Sequence, residues 1–248
     1  VYVHNDVGLW SFDVVGSAPR ILWKYETSHS PSVVLPEDRV LHTVTVHDGV
    51  VYANLVCTVE SQKQQLDFLI VQAPIPRRAL MAFSTRTGKL LWTIGGQKDA
   101  RDPKLRASFQ AAPAAERGRL YVGASFQKER PTDPVEQHIF CLDAKTGEVI
   151  WSRYVAEGYL EMNLFNNPTR EIVGSSVTID ADTVYYCTNF GIIAALDKES
   201  GEPKWLRRYE QFRIPPTRDL YVPPMPTGWE NNPVVVVGDT LFAAPMDS

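Results

Sequence analysis

The sequence predicts an all-β fold: a β-propeller of four-stranded antiparallel blades, present here as a partial propeller. Two repeated signals carry that expectation. One phrase recurs four times and ends each time in tryptophan, at Trp23, Trp92, Trp151 and Trp205. Upstream of it, a turn pair precedes a short strand with an aromatic residue at a fixed offset. Repetition over several tens of residues marks one supersecondary unit that has been copied, because a single unit cannot bury its apolar face alone.

The clearest copies of the phrase run Leu142-Asp143-Ala144-Lys145-Thr146-Gly147-Glu148-Val149-Ile150-Trp151 and Leu196-Asp197-Lys198-Glu199-Ser200-Gly201-Glu202-Pro203-Lys204-Trp205. A third, Phe83-Ser84-Thr85-Arg86-Thr87-Gly88-Lys89-Leu90-Leu91-Trp92, keeps the spacing with Ser in the Asp position. The first is looser, with two extra residues between Asp13 and Trp23. In each, apolar runs flank a Thr-Gly or Ser-Gly, so the phrase reads as strand, turn, strand, with Gly88, Gly147 and Gly201 supplying the positive φ of a tight hairpin. Asp143 and Asp197 stand where a carboxylate accepts hydrogen bonds from turn amides.

The upstream signal is Asp48-Gly49-Val50-Val51-Tyr52, Arg117-Gly118-Arg119-Leu120-Tyr121, Ala181-Asp182-Thr183-Val184-Tyr185 and Gly238-Asp239-Thr240-Leu241-Phe242, with Val1-Tyr2-Val3 as the tail of another copy. Two hairpins per period give four antiparallel strands, A to D. Tryptophans 54 to 69 residues apart fit four-stranded blades, whose radial stacking protects strand edges. A parallel α/β array would need amphipathic helices between strands, and the pattern offers none of convincing length. Residues 1–248 therefore read as a single propeller segment: a partial blade at 1–26, blades at about 40–94, 107–155 and 172–209, and a partial blade at 233–248. Joining the ends would duplicate strand B, so the expectation is a segment of a longer propeller.

The phrase apolar-x-Leu-Asp-x-x-Thr-Gly-x-x-x-Trp resembles the repeat of the PQQ-like, quinoprotein-type β-propellers. Leu142, Asp143, Thr146, Gly147 and Trp151 match it, as do Leu196, Asp197, Gly201 and Trp205. The resemblance implies tryptophans docked between neighbouring blades and a whole propeller of seven or eight blades. It does not select a function, since such folds serve dehydrogenases, outer-membrane assembly scaffolds and sensors alike.

Net charge of -4 and a pI near 5.8 argue against a nucleic-acid surface, which needs clustered Lys and Arg. No apolar run reaches the ~18 residues of a membrane-spanning helix. Cys57, Cys141 and Cys187 form no CxxC, CxxCH or vicinal pair and read as buried thiols. His42 and His47 would point to opposite faces of one strand, and His4, His29 and His138 are isolated, so no metal site is expected.

In a four-stranded meander the A–B and C–D turns share one end, and the B–C and D–A connections share the other. The first set is uniformly tight, whereas the second holds the long insertions, at 58–78, 95–111, 156–171 and 210–232. Function on a rigid scaffold belongs to such loops. They carry the candidate partner-binding residues: Arg77 and Arg78 after Pro74-Ile75-Pro76, Arg101 and Arg106, and Arg213, Arg218, Tyr221 and Trp229 on a proline-stiffened stretch. Forked guanidiniums and rigid aromatics suit a protein interface.

No catalytic or cofactor-binding residue is singled out. The reading is a non-catalytic platform, periplasmic or otherwise extracytoplasmic, whose loops engage a protein partner or a larger assembly. The alternative is a PQQ-dependent alcohol or sugar dehydrogenase whose catalytic residues lie partly outside this sequence. It would hold the quinone beside Ca²⁺ with a carboxylate base. Trp10 and Trp229 fall outside the repeat, and Asp99, Asp102 and Asp219 lie in face loops.

Overall fold

The computed structural model describes residues 1–5, 7–16, 18–27, 43–66, 69–97, 99–127, 133–159, 174–211 and 232–245. They fold into five successive antiparallel sheets. The first blade is three-stranded: β1 (Tyr2–His4), β2 (Gly8–Asp13) and β3 (Arg20–Glu26). The second holds β4 (Thr45–His47), β5 (Val50–Leu66), β6 (Leu69–Ser84) and β7 (Leu90–Gly95). The third holds β8 (Ser108–Glu116), β9 (Arg119–Gln127), β10 (Val135–Asp143) and β11 (Val149–Gly158). The fourth holds β12 (Thr178–Asp180), β13 (Thr183–Cys187), β14 (Ile192–Asp197) and β15 (Pro203–Arg208), and the fifth the pair β16 (Val235–Val237) and β17 (Thr240–Phe242). Among the described residues the only helix is one 3-10 turn, Pro103–Arg106.

Turn chemistry explains the meander. Asp48 and Gly49 both have positive φ, 46° and 75°, as do Arg117 and Gly118, at 48° and 76°, which gives the primed hairpin turns that match strand twist. In the C–D turns Asp143 Oδ1 accepts from the amides of Lys145 at 2.9 Å and Thr146 at 2.8 Å. Asp197 Oδ1 repeats this with Glu199 at 3.1 Å and Ser200 at 2.8 Å. These bonds hold both carboxyls below their usual pKa, led by the Thr146 and Ser200 amides respectively. Ser84 makes a weaker version, its Oγ accepting from Thr87 N at 3.4 Å.

Each C–D pairing then carries a bulge, at Ser11/Phe12, Ala82/Phe83, Cys141/Leu142 and Ala195/Leu196. The extra residue is the one before tryptophan, which re-aims the indole toward the next blade. Trp23 Nε1 donates to the Thr85 carbonyl at 2.9 Å, Trp92 to Ala144 at 3.2 Å, and Trp151 to Lys198 at 3.2 Å. Each indole lies on the glycine of the turn it reaches. A Cβ on Gly88, Gly147 or Gly201 would come within 2.6 to 2.7 Å of Trp23, Trp92 or Trp151. The strand-B tyrosine of the same blade backs each indole, at centroid distances of 5.8 Å for Tyr2–Trp23 and Tyr52–Trp92 and 6.0 Å for Tyr121–Trp151. Tyr185 backs Trp205 in the same way at 6.1 Å. An aromatic pair of this kind contributes about 0.5–1.5 kcal/mol beyond its buried area.

The core accordingly lies between blades. Leu9, Leu55, Met81 and Phe83 fill the seam between the first and second blades. Tyr52, Leu80, Phe109 and Phe140 fill the next, and Tyr121, Ile139, Val184 and Tyr186 the one after. Inner strands are latched as well. Thr45 Oγ1 donates to the Pro113 carbonyl and Thr178 Oγ1 to that of Val234, both at 2.5 Å. The seam between the third and fourth blades adds ion pairs: Lys198–Glu116 and Arg119–Glu199, each at 2.6 Å, and Arg153–Glu202.

One expectation is overturned. The 58–78 connection is not a loop but the continuation of β5 and β6, paired from Thr58↔Arg77 to Leu66↔Leu69. Proline is disfavoured inside a sheet, yet its placement here allows it. A closing pair separated by two residues exchanges hydrogen bonds, and every second pair repeats this through Gln64↔Val71, Gln62↔Ala73 and Glu60↔Ile75. Pro74 and Pro76 occupy the intervening pairs, so their nitrogens face away from β5 and no ladder bond is lost.

Candidate functional site

The C–D turns of the second, third and fourth blades carry the docking described above, which leaves the opposite end of the blades for other contacts. Three features stand there. The most prominent is the β5–β6 hairpin. β4 pairs with β5 only at Val50–Tyr52, and β7 with β6 only at Ala79–Phe83. Residues 58–77 therefore extend beyond the blade as a two-stranded ribbon, on the order of 30 Å long at ~3.3 Å per residue.

A short rigid connection stands beside it. Gly95 and Gly96, with φ of 88° and 72°, turn the chain out of β7. Gly96 N then donates to Ala107 O at 2.8 Å, and Gln97 N to Leu105 O at 3.0 Å. Asp102 caps the 3-10 turn, its Oδ1 accepting from Lys104 N at 3.0 Å. Arg101 and Arg106 are exposed on this frame, and so is Asp99.

The third feature is a polar layer between the third and fourth blades. Gln137 Nε2 donates to Asn189 Oδ1 at 3.3 Å, and Gln110 Nε2 to Ser125 Oγ at 3.2 Å. Gln110 Oε1 accepts from Gly174 N at 2.8 Å. All four side chains are buried. Nearby on β10, His138 Nε2 meets Glu136 Oε2 at 3.1 Å, flanked by the rings of Phe126 at 4.6 Å and Tyr154 at 5.6 Å. Burial lowers the pKa of His138, with Glu136 opposing the shift.

The structure separates the candidate partner-binding residues. Arg77 and Arg78 are buried, at 3% and 2% exposure, so they are not the exposed guanidiniums expected of the insertion. The reason is the hairpin: both sit at its base on β6, where Arg78 N donates to Ser108 Oγ at 3.1 Å. Arg213, Arg218, Tyr221 and Trp229, with Asp219, lie outside the described residues, as does most of the 156–171 connection. Sequence reasoning missed the polar layer, although Gly123 inside β9 is the type of residue that marks a close approach.

Among the described residues no group of three or more His, Cys, Asp or Glu is placed to hold a metal ion. His47 sits 3.3 Å from Asp48 Oδ2, Asp102 is a cap, and Trp10 packs over Gly8. Cys57, Cys141 and Cys187 are thiols outside any disulfide, and burial raises the pKa of Cys141 to about 11. No helix among the described residues is long and apolar enough to cross a membrane.

Comparison with known proteins gives one family and one fold. The sequence pattern of the family described as outer membrane protein assembly factor BamB, a PQQ-like repeat family, matches residues 76–211 and 135–243. Among solved structures, BamB from Moraxella catarrhalis superposes with a TM-score of 0.51 at 18% identity, over 99% of this chain and 57% of that one. A europium-containing methanol dehydrogenase gives 0.52 at 17%, over 84% and 39%. The quinohemoprotein alcohol dehydrogenase ADHIIG from Pseudomonas putida HK5 gives 0.50 at 16%, over 84% and 32%. At these identities the likeness shows the fold, a β-propeller, and the chain spans just over half of that BamB and about a third of the dehydrogenases. No curated protein matches.

Proposed function

Since the chain belongs to the PQQ-like repeat family described as outer membrane protein assembly factor BamB, we propose that it is a non-catalytic platform for protein assembly outside the cytoplasm, and that it binds its partner on the insertion face. The observation that supports this most is the β5–β6 ribbon. It extends two strands well past the blade that anchors it. A two-stranded ribbon is marginal alone, and its outer edges offer main-chain groups to an added strand. The two edges are unequal: Pro74 and Pro76 remove donors from the outer side of β6, whereas Val59, Ser61, Lys63 and Gln65 keep theirs on β5. Exposed Arg101 and Arg106 supply charge on the same face.

The test is a full-length protein in which residues 59–76 are replaced by a two-residue turn joining Thr58 to Arg77. Co-purification of the native partner should be lost while the melting temperature holds. Retained partner with the ribbon removed would refute this use of the face. A quinone-dependent dehydrogenase is the competing reading, supported by the fold of two structural neighbours. It requires stoichiometric uptake of PQQ in the presence of Ca²⁺; the platform reading requires none.

A further inference from the structure

The connection from β7 to β8 is pinned along its length. Gly96 N and Gln97 N donate to the carbonyls of Ala107 and Leu105 at 2.8 and 3.0 Å, and Ala100 N to that of Gln97 at 3.4 Å. Leu105 N reaches Asp102 O at 3.1 Å, and Ala107 N reaches Lys104 O at 3.3 Å. Leu105 packs against the core between the second and third blades. The root lies against the base of the ribbon, where a Cβ on Gly96 would come within 3.2 Å of Ala79 N. Three residues complete a turn of 3-10 helix, so with Leu105 turned into the core, Lys104 and Arg106 flank it on the solvent side.

Arg101, Lys104 and Arg106 are all exposed. Among the described residues none of the three meets a carboxylate, whereas Arg119, Arg153, Lys198 and Lys204 each hold one. Asp102, the acid between them, turns to the backbone, its Oδ1 accepting from Lys104 N at 3.0 Å. Asp99 is exposed and pairs with none of them. Three like charges so close together repel one another, and they do so on a chain whose net charge is -4.

We propose that this turn receives an acidic segment of the partner protein, whose carboxylates are gripped by Arg101, Lys104 and Arg106. The inference rests on the platform reading and names what this face takes from its partner. Guanidinium forks bind carboxylates in pairs, and the frame beneath is already fixed, so binding orders only the side chains. A protein segment fits better than an anionic lipid surface. The ribbon stands on the order of 30 Å beyond its blade, so a flat bilayer approaching this end would meet the ribbon first.

The test titrates fluorescein-labelled hexaglutamate, hexaserine and hexalysine against the full-length protein at low ionic strength, followed by anisotropy. Hexaglutamate should bind, and added salt should weaken it. The Arg101→Glu, Lys104→Glu, Arg106→Glu variant should bind it about tenfold more weakly, the combined size of three exposed ion pairs. An Arg86→Glu, Lys89→Glu, Lys145→Glu variant changes net charge equally at exposed positions of the opposite end and should bind like the parent. Equal loss in both variants, or no binding of hexaglutamate by the parent, would overturn the proposal. So would phosphatidylglycerol vesicles that sediment the parent but not the first variant, since the three cations would then serve lipid. The two readings fail separately: partner retained after ribbon deletion refutes that use of the ribbon, whereas hexaglutamate bound equally by the parent and the first variant refutes this site.

Discussion

Replacing Gly147 with alanine tests the docking of tryptophan on glycine, because the chain supplies its own control. Gly147 and Gly118 share a φ of +76° and both lie in turns of the third blade. A Cβ on Gly118 meets nothing within 4 Å, whereas one on Gly147 would lie 2.7 Å from Cδ2 and Cε3 of Trp92. Alanine in the left-handed region costs about 1–2 kcal/mol, of which roughly 0.4–1 is returned by the stiffer unfolded chain. Gly118→Ala should therefore destabilise by about 0.5–1 kcal/mol. Gly147→Ala must also push the indole back to ordinary contact. That strains its bond to the Ala144 carbonyl, worth about 1 kcal/mol, and its packing on Tyr52, worth about 0.5–1.5 kcal/mol. The expected total is about 2–3 kcal/mol, read from urea denaturation followed by tryptophan fluorescence. In a Trp92→Ala background the two glycine changes should cost the same. Equal costs in the parent chain would refute the docking account.

Two further predictions concern the latches and the turns. Thr178→Val should cost about 1 kcal/mol by deleting the bond to Val234, and Ala114→Thr, at the position matching Thr45 and Thr178, should gain a similar amount by reaching the Val177 carbonyl; chemical denaturation of both variants checks this, and an Ala114→Thr protein no more stable than the parent would show that the latch does not transfer. Asp143 and Asp197 have folded pKa values below the reference of 3.8, so their contribution is present above that reference and is lost as pH falls through the lowered values. The Asp143→Asn, Asp197→Asn double variant, which keeps the acceptor but cannot titrate, should flatten the acid limb of a stability–pH curve below about pH 4 while changing little at pH 7.

Much of the architecture could be read from residues that have one dominant use. A Thr-Gly or Ser-Gly flanked by apolar runs has few options besides a hairpin, and a tryptophan at constant distance from it needs a seat outside its own sheet. The ribbon was hidden because Pro74-Ile75-Pro76 argues for a loop unless the hydrogen-bond phase of the strand is known, and that phase follows from a closing pair whose Leu69 lies five residues before Pro74. Arg77 and Arg78 were misplaced with it, since burial of a guanidinium depends on what covers the strand. The polar layer was invisible for another reason. Tyr186 and Gln110 sit in ordinary strand patterns, and only the glycines opposite them show that backbone and phenol meet.

The contact from each indole to the following turn runs one way. Every full blade offers an aromatic plug on one side and a glycine socket on the other, so the units are joined head to tail like couplings on a train. Such joints are blind to which unit comes next, provided that it presents a socket at the right height. A lineage can then lengthen or shorten the array by whole units wherever the apolar seam of the new pair also packs, and laboratory shuffling of blades at their D–A connections should succeed where cuts inside a blade fail. Among the described residues the ionic clamp of Lys198, Glu199 and Glu202 stands apart: it makes the third and fourth blades a matched pair that recombination would have to move together.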